Sequence, residues 1–576
     1  MSSKGKLKKA EAKASGLMQF ADYILGIFTA IYVFLFLVVY PLYFEHVHYD
    51  ANGNIKGKYF NMGEAKYNFF NKVSGAFTIL LMLAFVIWLV AYYKEISYEK
   101  IFKGYSITDW FAVGFLLVSF LSYLLSSDHY MAFYGYIDWN MGLIAQTIFV
   151  LLYFFVSRFG RFSRPILKWG MLTCFIVCLL AVLMRFGFDP LGMYDDISTA
   201  DIEKFVSTIG QTSWYSSYAV LIYALGMFWY FDDNPDGLIG DILREQKVSE
   251  KVIHGINSFI YGLFVMVGAA SIVTVNSDSA FVALTLIFMV LFWYGLESNE
   301  KFSRFLELAV LVFTTFRLVG LLQDMFPERL IEHVADTEAI CQFLNHSTAT
   351  LIIWIGLVVV YIAYRVGLHL SFDKLRRTYK FQVKKFVILR KIMVIAAIFV
   401  LWLVALLIIL TTNHKLPASM SGMYNSGFFN FADAWGNHRG FNWKMAVVAL
   451  NNASIKDLFV GVGPDCFSLA MSKYCNDLVS VYWHGQTLAC AHNEFLNMTV
   501  TEGILGITAY LGMMISSASR LGRLAYKRPE AIGCLVIILA YIGHNFFCYQ
   551  TCCSAPYVFI FMGIGESIIR KEKQSA

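Results

Sequence analysis

Charge is scarce in this sequence. Asp, Glu, Lys and Arg supply only 15% of its 576 residues, where a soluble domain carries about a quarter. So few charges cannot keep a disordered chain in solution, nor can they cover a soluble globule of this size. Proline is also rare, nine residues in all, and this excludes a collagenous or proline-rich scaffold. The ten cysteines contain no Cys-x-x-Cys pair with a partnering His, and Cys552 and Cys553 are adjacent, so no zinc site is expected. Low-complexity tracts and internal repeats are absent, and the two halves of the chain do not read as copies. No cleavable leader is expected either, because the basic start (Lys4, Lys6, Lys8, Lys9) runs into an apolar stretch at about 20–43 that is long enough to span a bilayer.

What is present is hydrophobic: 58% of the residues, too many to hide in one soluble core. The apolar runs are too long for the alternating strands of an outer-membrane barrel. The expected fold is therefore all-α, a polytopic membrane bundle. At about 20 apolar residues per crossing, about fourteen spans are expected, near 20–43, 73–93, 109–126, 139–157, 166–187, 211–231, 256–275, 280–297, 305–323, 347–369, 391–411, 499–518, 529–549 and 555–569.

Lys and Arg in short loops mark the cytoplasmic side of a membrane protein, not a nucleic-acid surface. Arg158, Arg161 and Arg164 fall in one such loop, and Lys374, Arg376, Arg377, Lys380, Lys384 and Lys385 in another. Arg520, Arg523, Lys527 and Arg528 follow the twelfth span, and Arg570, Lys571 and Lys573 end the chain. Intervening loops are acidic or neutral, with Asp189, Asp195, Asp196, Asp201 and Glu203 in one and Asp324, Glu328, Glu332, Asp336 and Glu338 in another. Both termini are expected to be cytoplasmic. The chain divides into a transmembrane bundle (1–411), a large extracytoplasmic loop (412–498), and C-terminal helices with a cytoplasmic tail (499–576).

That loop is far longer than an ordinary connection, and such loops are functional or disordered. Its aromatic anchors (Phe428, Phe429, Phe431, Trp435, Phe441, Trp443, Tyr482, Trp483) and a helix-like stretch at 441–450 argue for a folded loop resting on the bundle. It carries His438-Arg439-Gly440-Phe441-Asn442-Trp443, then Gly461-Val462-Gly463-Pro464-Asp465 with Phe467, and closes with Ala491-His492-Asn493-Glu494-Phe495-Leu496 ahead of Glu502-Gly503-Ile504-Leu505-Gly506. In order and placement this combination resembles the bacterial O-antigen ligase and O-antigen polymerase family of membrane glycosyltransferases. The match is good over about 435–510, with fainter similarity at Gly135 to Met141 and at Ser207-Thr208-Ile209-Gly210.

The resemblance implies a metal-independent GT-C type enzyme in the bacterial cytoplasmic (inner) membrane, with no cofactor. Its donor would be a glycan on undecaprenyl diphosphate and its acceptor a sugar, so its partners are membrane lipid, donor and acceptor; its oligomeric state is not readable. The residue types suit that chemistry. A leaving diphosphate needs a permanent planar cation, and Arg439 is the candidate. An incoming hydroxyl needs a base that titrates near neutrality, and His492 is the candidate, with Glu494 or Asn493 as an orienting group. Without the surrounding pattern, head-group binding or helix capping would be the better explanation of both residues; with it, function is favoured. Gly461 and Gly463 read as a tight turn, Trp443 and Phe467 as packing that seats the loop, and Glu502 as a helix N-terminal acid.

One departure stands out. Many ligases carry Ser-Arg-Gly between two central spans, and this chain has Ser277-Asp278-Ser279 there. Asp278 would then contact the acceptor or orient another cation. Arg317, in the ninth span, is a possible second diphosphate ligand, or else structural. Arg365 reads as a snorkelling residue, Arg185 as an interfacial anchor, and His544-Asn545 as a buried pair. Glu45, His46, His48 and Asp50 are scattered on a loop and read as solvated, so no metal is expected. The competing function is a lipid-linked oligosaccharide flippase or transporter, for which related halves and charges along a central path are expected. An inactive scaffold in an envelope-polysaccharide complex is the third reading.

Overall fold

The computed structural model describes residues 3–575 apart from 46–47, 50–51, 54, 57–61, 95–103, 138, 161–163, 196, 233–239, 331–338 and 374–385. Of the residues singled out above, His46, Asp50, Arg161, Asp196, Glu332, Asp336, Glu338, Lys374, Arg376, Arg377, Lys380, Lys384 and Lys385 lie outside the described residues.

The architecture is helical. Eleven long helices precede the large loop: α1 (Ser3–Phe34, continued by a π turn and a 3-10 turn to Leu42), α2 (Met62–Tyr92), α3 (Ile107–Leu124), α4 (Leu143–Phe159), α5 (Arg164–Arg185), α6 (Thr212–Phe231), α7 (Glu250–Thr274), α8 (Asp278–Gly295), α9 (Asn299–Met325), α10 (Thr348–Asp373) and α11 (Ile388–Thr412). The loop contributes α12 (Trp435–Asn452), α13 (Ile455–Val460), α14 (Phe467–Tyr474) and α15 (Asn476–Tyr482). Then come α16 (Glu494–Leu524), α17 (Glu530–Asn545) and α18 (Ala555–Ser575). Strands among the described residues are limited to two hairpins of two-residue strands, His48–Tyr49 with Ile55–Lys56 and Phe205–Val206 with Gly210–Gln211.

A helix lies at each of the fourteen positions where a span is expected. Ten are long and apolar enough to cross a membrane, so the chain is a multi-pass membrane protein. The other four are α4, α6, α17 and α18, and they share one property: they lie inside the bundle. Every residue of α6 from Tyr215 to Phe231 is buried, as are Ala555 to Glu566 of α18 and thirteen residues of α17. A helix surrounded by other helices meets no lipid, so it tolerates Tyr, Ser and His that a lipid-facing helix cannot. At the other extreme α11 buries none of its most apolar window, and it is almost wholly aliphatic for that reason. α4 and α17 have 17 and 16 residues, about 25 Å at 1.5 Å per residue, slightly under the hydrocarbon thickness.

The segment between α11 and α16 is folded and rests on the bundle. Phe441, Met445, Ala446, Phe467, Met471 and Val479 form a second hydrophobic core, which Tyr123 and Met131 flank from the side of α3. Phe441 stacks on Tyr482 at 3.8 Å and 7°.

α16 begins earlier than its apolar run suggests. Asn493 caps it, its side chain accepting from Leu496 N at 3.0 Å, so the first turn is at Glu494. Glu502 is therefore not the N-terminal acid that the sequence suggests; it is buried well inside the helix and accepts a hydrogen bond from Ser119. The helix breaks one residue later, at Gly503 (φ 71°, ψ −175°). The break frees the Thr501 carbonyl, which then accepts from Gly463 N at 3.0 Å and Ser122 Oγ at 3.1 Å. Gly461 (φ +80°) lies so close that a Cβ would stand 2.1 Å from that carbonyl oxygen, and a Cβ on Gly503 would stand 2.3 Å from the Phe459 carbonyl carbon. Two glycines thus let the loop backbone and the broken membrane helix touch directly.

Candidate functional site

Arg439 is positioned by its own local backbone. Gly436, Asn437 and His438 all adopt left-handed conformations (φ 58°, 56° and 66°), which turn the chain sharply before α12 proper begins. Arg439 Nη1 donates to the Gly436 carbonyl at 2.8 Å and Nε to the Phe547 carbonyl at 3.0 Å, in the connection between α17 and α18. Two edges of the guanidinium are pinned, while Nη2 has no hydrogen-bond partner among the described residues.

Trp443, one turn further on, packs against Phe547 (5.9 Å, 21°), Phe546, Trp435 and Phe431. It holds the loop to the same connection that anchors Arg439. This packing accords with the seating role read for it in the sequence.

His492 approaches the same rim from the other side. It is itself left-handed (φ 51°), immediately before the cap of α16. Its ring stands edge-on to Tyr549 at 5.3 Å and to Trp139 at 6.4 Å, and among the described residues no side-chain hydrogen bond occupies it. Burial lowers its pKa, and the Arg439 charge lowers it further, to about 4. Near neutral pH His492 is thus an uncharged imidazole and a weaker base than the near-neutral one expected from its residue type.

The rim includes groups that the sequence did not single out. Trp139 packs on Tyr549 at 3.9 Å, and Trp214 Nε1 donates to Tyr549 Oη at 3.1 Å. Asp465, quoted only as part of the Gly-x-Gly-Pro-Asp turn, is half-buried and accepts from Tyr136 N and Met141 N, both at 2.8 Å. Burial raises its carboxyl to about 7 against the pull of those two donors. It clamps the loop that carries Trp139. Trp139 lies in the Gly135 to Met141 stretch and Asp465 in the Gly-x-Gly-Pro-Asp turn, but nothing local marks either as part of a site with Tyr549, because each joins the rim from a different part of the chain.

Below the rim lies a polar cavity of about 20 Å³, lined by Asp465, Glu494, Glu502, Gln146 and Gln550 among others, with room for about one water. Glu494 does not orient His492. Its carboxylate is taken by Tyr510, Asn545 and Tyr541, the last at 3.0 Å. From Asn545 the network continues through His544 (Oδ1 to Nδ1, 2.9 Å) to Ser216 (2.9 Å) and Ser279 (3.0 Å), with Ser277 donating to Ser216 at 2.8 Å. His544 and Asn545 are thus the buried pair expected of them.

The remaining candidates separate from this rim. Asn493 is a helix cap, and Gly461 and Gly463 act through their backbone. Asp278 is exposed in the first turn of α8, between two serines that face the network. Arg317 donates through Nη1 to the Ser347 carbonyl at 3.2 Å, ahead of α10, and so supports the end of α10 and makes no contact with Arg439 or His492. Arg185 is not the interfacial anchor read from the sequence: it is buried in the protein and donates to the Ile202 and Glu203 carbonyls at 3.2 and 2.8 Å. Among the described residues no group of three or more His, Cys, Asp or Glu is arranged to hold a metal ion. No protein-family model matches the chain, and no curated protein is significantly similar to it.

Proposed function

We propose that the chain transfers a glycan from undecaprenyl diphosphate to a sugar acceptor at the outer leaflet, as an O-antigen ligase-like or polysaccharide polymerase-like enzyme. One observation carries the reading. Arg439 and His492, separated in sequence by the whole of α13 to α15, both reach the connection between α17 and α18, Arg439 through the Phe547 carbonyl at 3.0 Å and His492 edge-on to Tyr549 at 5.3 Å. In this mechanism the acceptor hydroxyl oxygen attacks the anomeric carbon while His492 Nδ1 or Nε2 takes its proton. The bond from the anomeric carbon to the phosphate oxygen breaks, and the electron pair leaves with the polyprenyl diphosphate. Arg439, with Nη2 available, stabilises the charge that develops there. Trp139 and Tyr549 wall the site on the side of the sugar.

The membrane frame is part of the same proposal. The chain crosses fourteen times, counting the four interior helices, and the segment at 412–498 lies outside. The ends of α4, α16 and α18 away from that segment carry Arg158, Arg520 and Arg570 in one network with Asp109 and Glu566, which supports a cytoplasmic assignment for that end and for both termini. The host membrane would be the bacterial cytoplasmic membrane.

The test is deletion followed by analysis of lipid-linked and surface glycans. Full-length polymer accumulating on its lipid identifies a ligase, and accumulating single repeat units identify a polymerase. Lipid-linked units blocked on the inner leaflet would replace this proposal with the flippase reading.

A further inference from the structure

At the end of the bundle away from Arg439, α1, α2, α4 and α18 surround a cavity of about 770 Å³, a size that accommodates a substantial small-molecule or lipid portion. Its walls are aromatic: Phe85, Trp88, Phe154, Phe155 and Phe159 face it. Three charged side chains also line it, Asp22, Arg158 and Lys571, and their partners decide what it fits.

Arg158 is ion-paired, both terminal nitrogens lying 3.2 Å from the two oxygens of Asp109, but Asp109 also pairs with Arg570, so Arg158 is only partly compensated and adds to Lys571 as a partner for phosphate. Asp22 is hydrogen-bonded but not neutralised. Trp88 Nε1 donates to Oδ1 at 2.9 Å and Tyr92 Oη to Oδ2 at 2.7 Å, both uncharged donors, and no cation pairs with it among the described residues. Lys571 is exposed and has no ion-pair partner among the described residues. The cavity therefore presents one carboxylate and one ammonium without ion-pair partners among the described residues, beside a partly compensated guanidinium and above an apolar, aromatic floor. A carboxylate on a membrane helix is costly unless a cation meets it, and pockets between membrane helices at a basic end are places where lipid head groups bind.

We propose that this cavity binds a zwitterionic aminophospholipid of the adjacent leaflet. The lipid's primary ammonium meets Asp22, its phosphate meets Lys571, and one acyl chain lies along the Phe85 and Phe155 wall. The charge pattern selects against an anionic lipid, which would leave Asp22 unpaired. A choline lipid is the nearer competitor, since its quaternary nitrogen keeps the charge attraction to Asp22 and to the aromatic wall but has no N–H to donate to the carboxylate.

The experiment uses the full chain, purified in detergent and stripped of lipid. Dioleoyl phosphatidylethanolamine, phosphatidylglycerol and phosphatidylcholine are added in turn, and retained lipid is read by native mass spectrometry. Phosphatidylethanolamine should be retained about tenfold over each of the others, the ratio that one charge-assisted contact supports. Asp22→Asn should erase the preference over phosphatidylglycerol. Lys571→Gln, an exposed change that leaves the packing intact, should lower phosphatidylethanolamine retention. Equal or better retention of phosphatidylglycerol by the wild-type chain would overturn the proposal without recourse to any variant. So would an undiminished phosphatidylethanolamine preference in Asp22→Asn.

Discussion

Arg439 and His492 have roles that separate cleanly on substitution. Arg439→Ala removes the guanidinium and frees the Gly436 and Phe547 carbonyls, and His492→Ala removes a side chain with no hydrogen bond to lose. Both variants should abolish glycan transfer, measured as surface polysaccharide, while membrane-inserted protein stays at wild-type levels. Wild-type polysaccharide in either would remove that residue from the site. Arg439→Lys should keep only part of the activity, because a single ammonium nitrogen lacks the planar fork that reaches two separate carbonyls while presenting another N–H edge to phosphate. The pH response follows from the His492 pKa. Its folded value, about 4, lies below the ordinary value of about 6.5. Between those two values the unfolded chain binds the extra proton, so stability rises with pH there and is lost as pH falls from about 6.5 toward 4. Asp465 works in the opposite sense, since its carboxyl is raised to about 7 and its folded form keeps a proton that the unfolded chain releases. His492→Gln should therefore flatten the acid-side loss in a thermal-shift series. An unchanged slope would mean that the imidazole is not buried in solution.

At the scale of elements the break in α16 is the feature with the clearest energetic consequence. Gly461→Ala and Gly503→Ala place a methyl group in left-handed backbone and against another backbone segment at once. The backbone term alone costs about 1–2 kcal/mol, and the clash adds to it. Each should lower Tm clearly in detergent. Gly427→Ala, where nothing lies within 4 Å of the new methyl, is the matched control and should leave Tm unchanged. If Gly503→Ala matched the control, the direct contact between loop and helix would be absent. The Gly-Val-Gly turn and the Gly503 motif are visible in the sequence as separate turn signals. That they are two sides of one contact is not, because sequence spacing carries no information about which segments meet.

At the scale of the whole molecule the question is which helices cross. α6 is the discriminating one, being too polar to qualify by composition and too buried to need apolar residues. Asp195 and Lys247 flank it and are exposed. With Asp195→Cys and Lys247→Cys, a membrane-impermeant maleimide should label the first in intact cells and the second only after permeabilisation. All ten native cysteines are buried, so background labelling should be low. Labelling of both from the same side would remove α6 from the crossings and with it the count of fourteen.

Composition and run length determined that this chain is helical and membrane-embedded, and where its helices lie, because transfer of backbone into hydrocarbon leaves few alternatives to a helix of about 20 apolar residues. Run length also marked the long loop, and the resemblance of its motifs to a known family marked Arg439 and His492. Only the tertiary structure decided which polar residues share an environment: that Glu494 turns inward to Tyr510, Tyr541 and Asn545, that Arg317 holds a helix end, and that Trp139, Tyr549 and Asp465 complete the rim. Hydropathy follows what a residue's own segment faces on average, whereas a site is made by side chains from segments distant in sequence, and their meeting depends on packing that no single segment encodes.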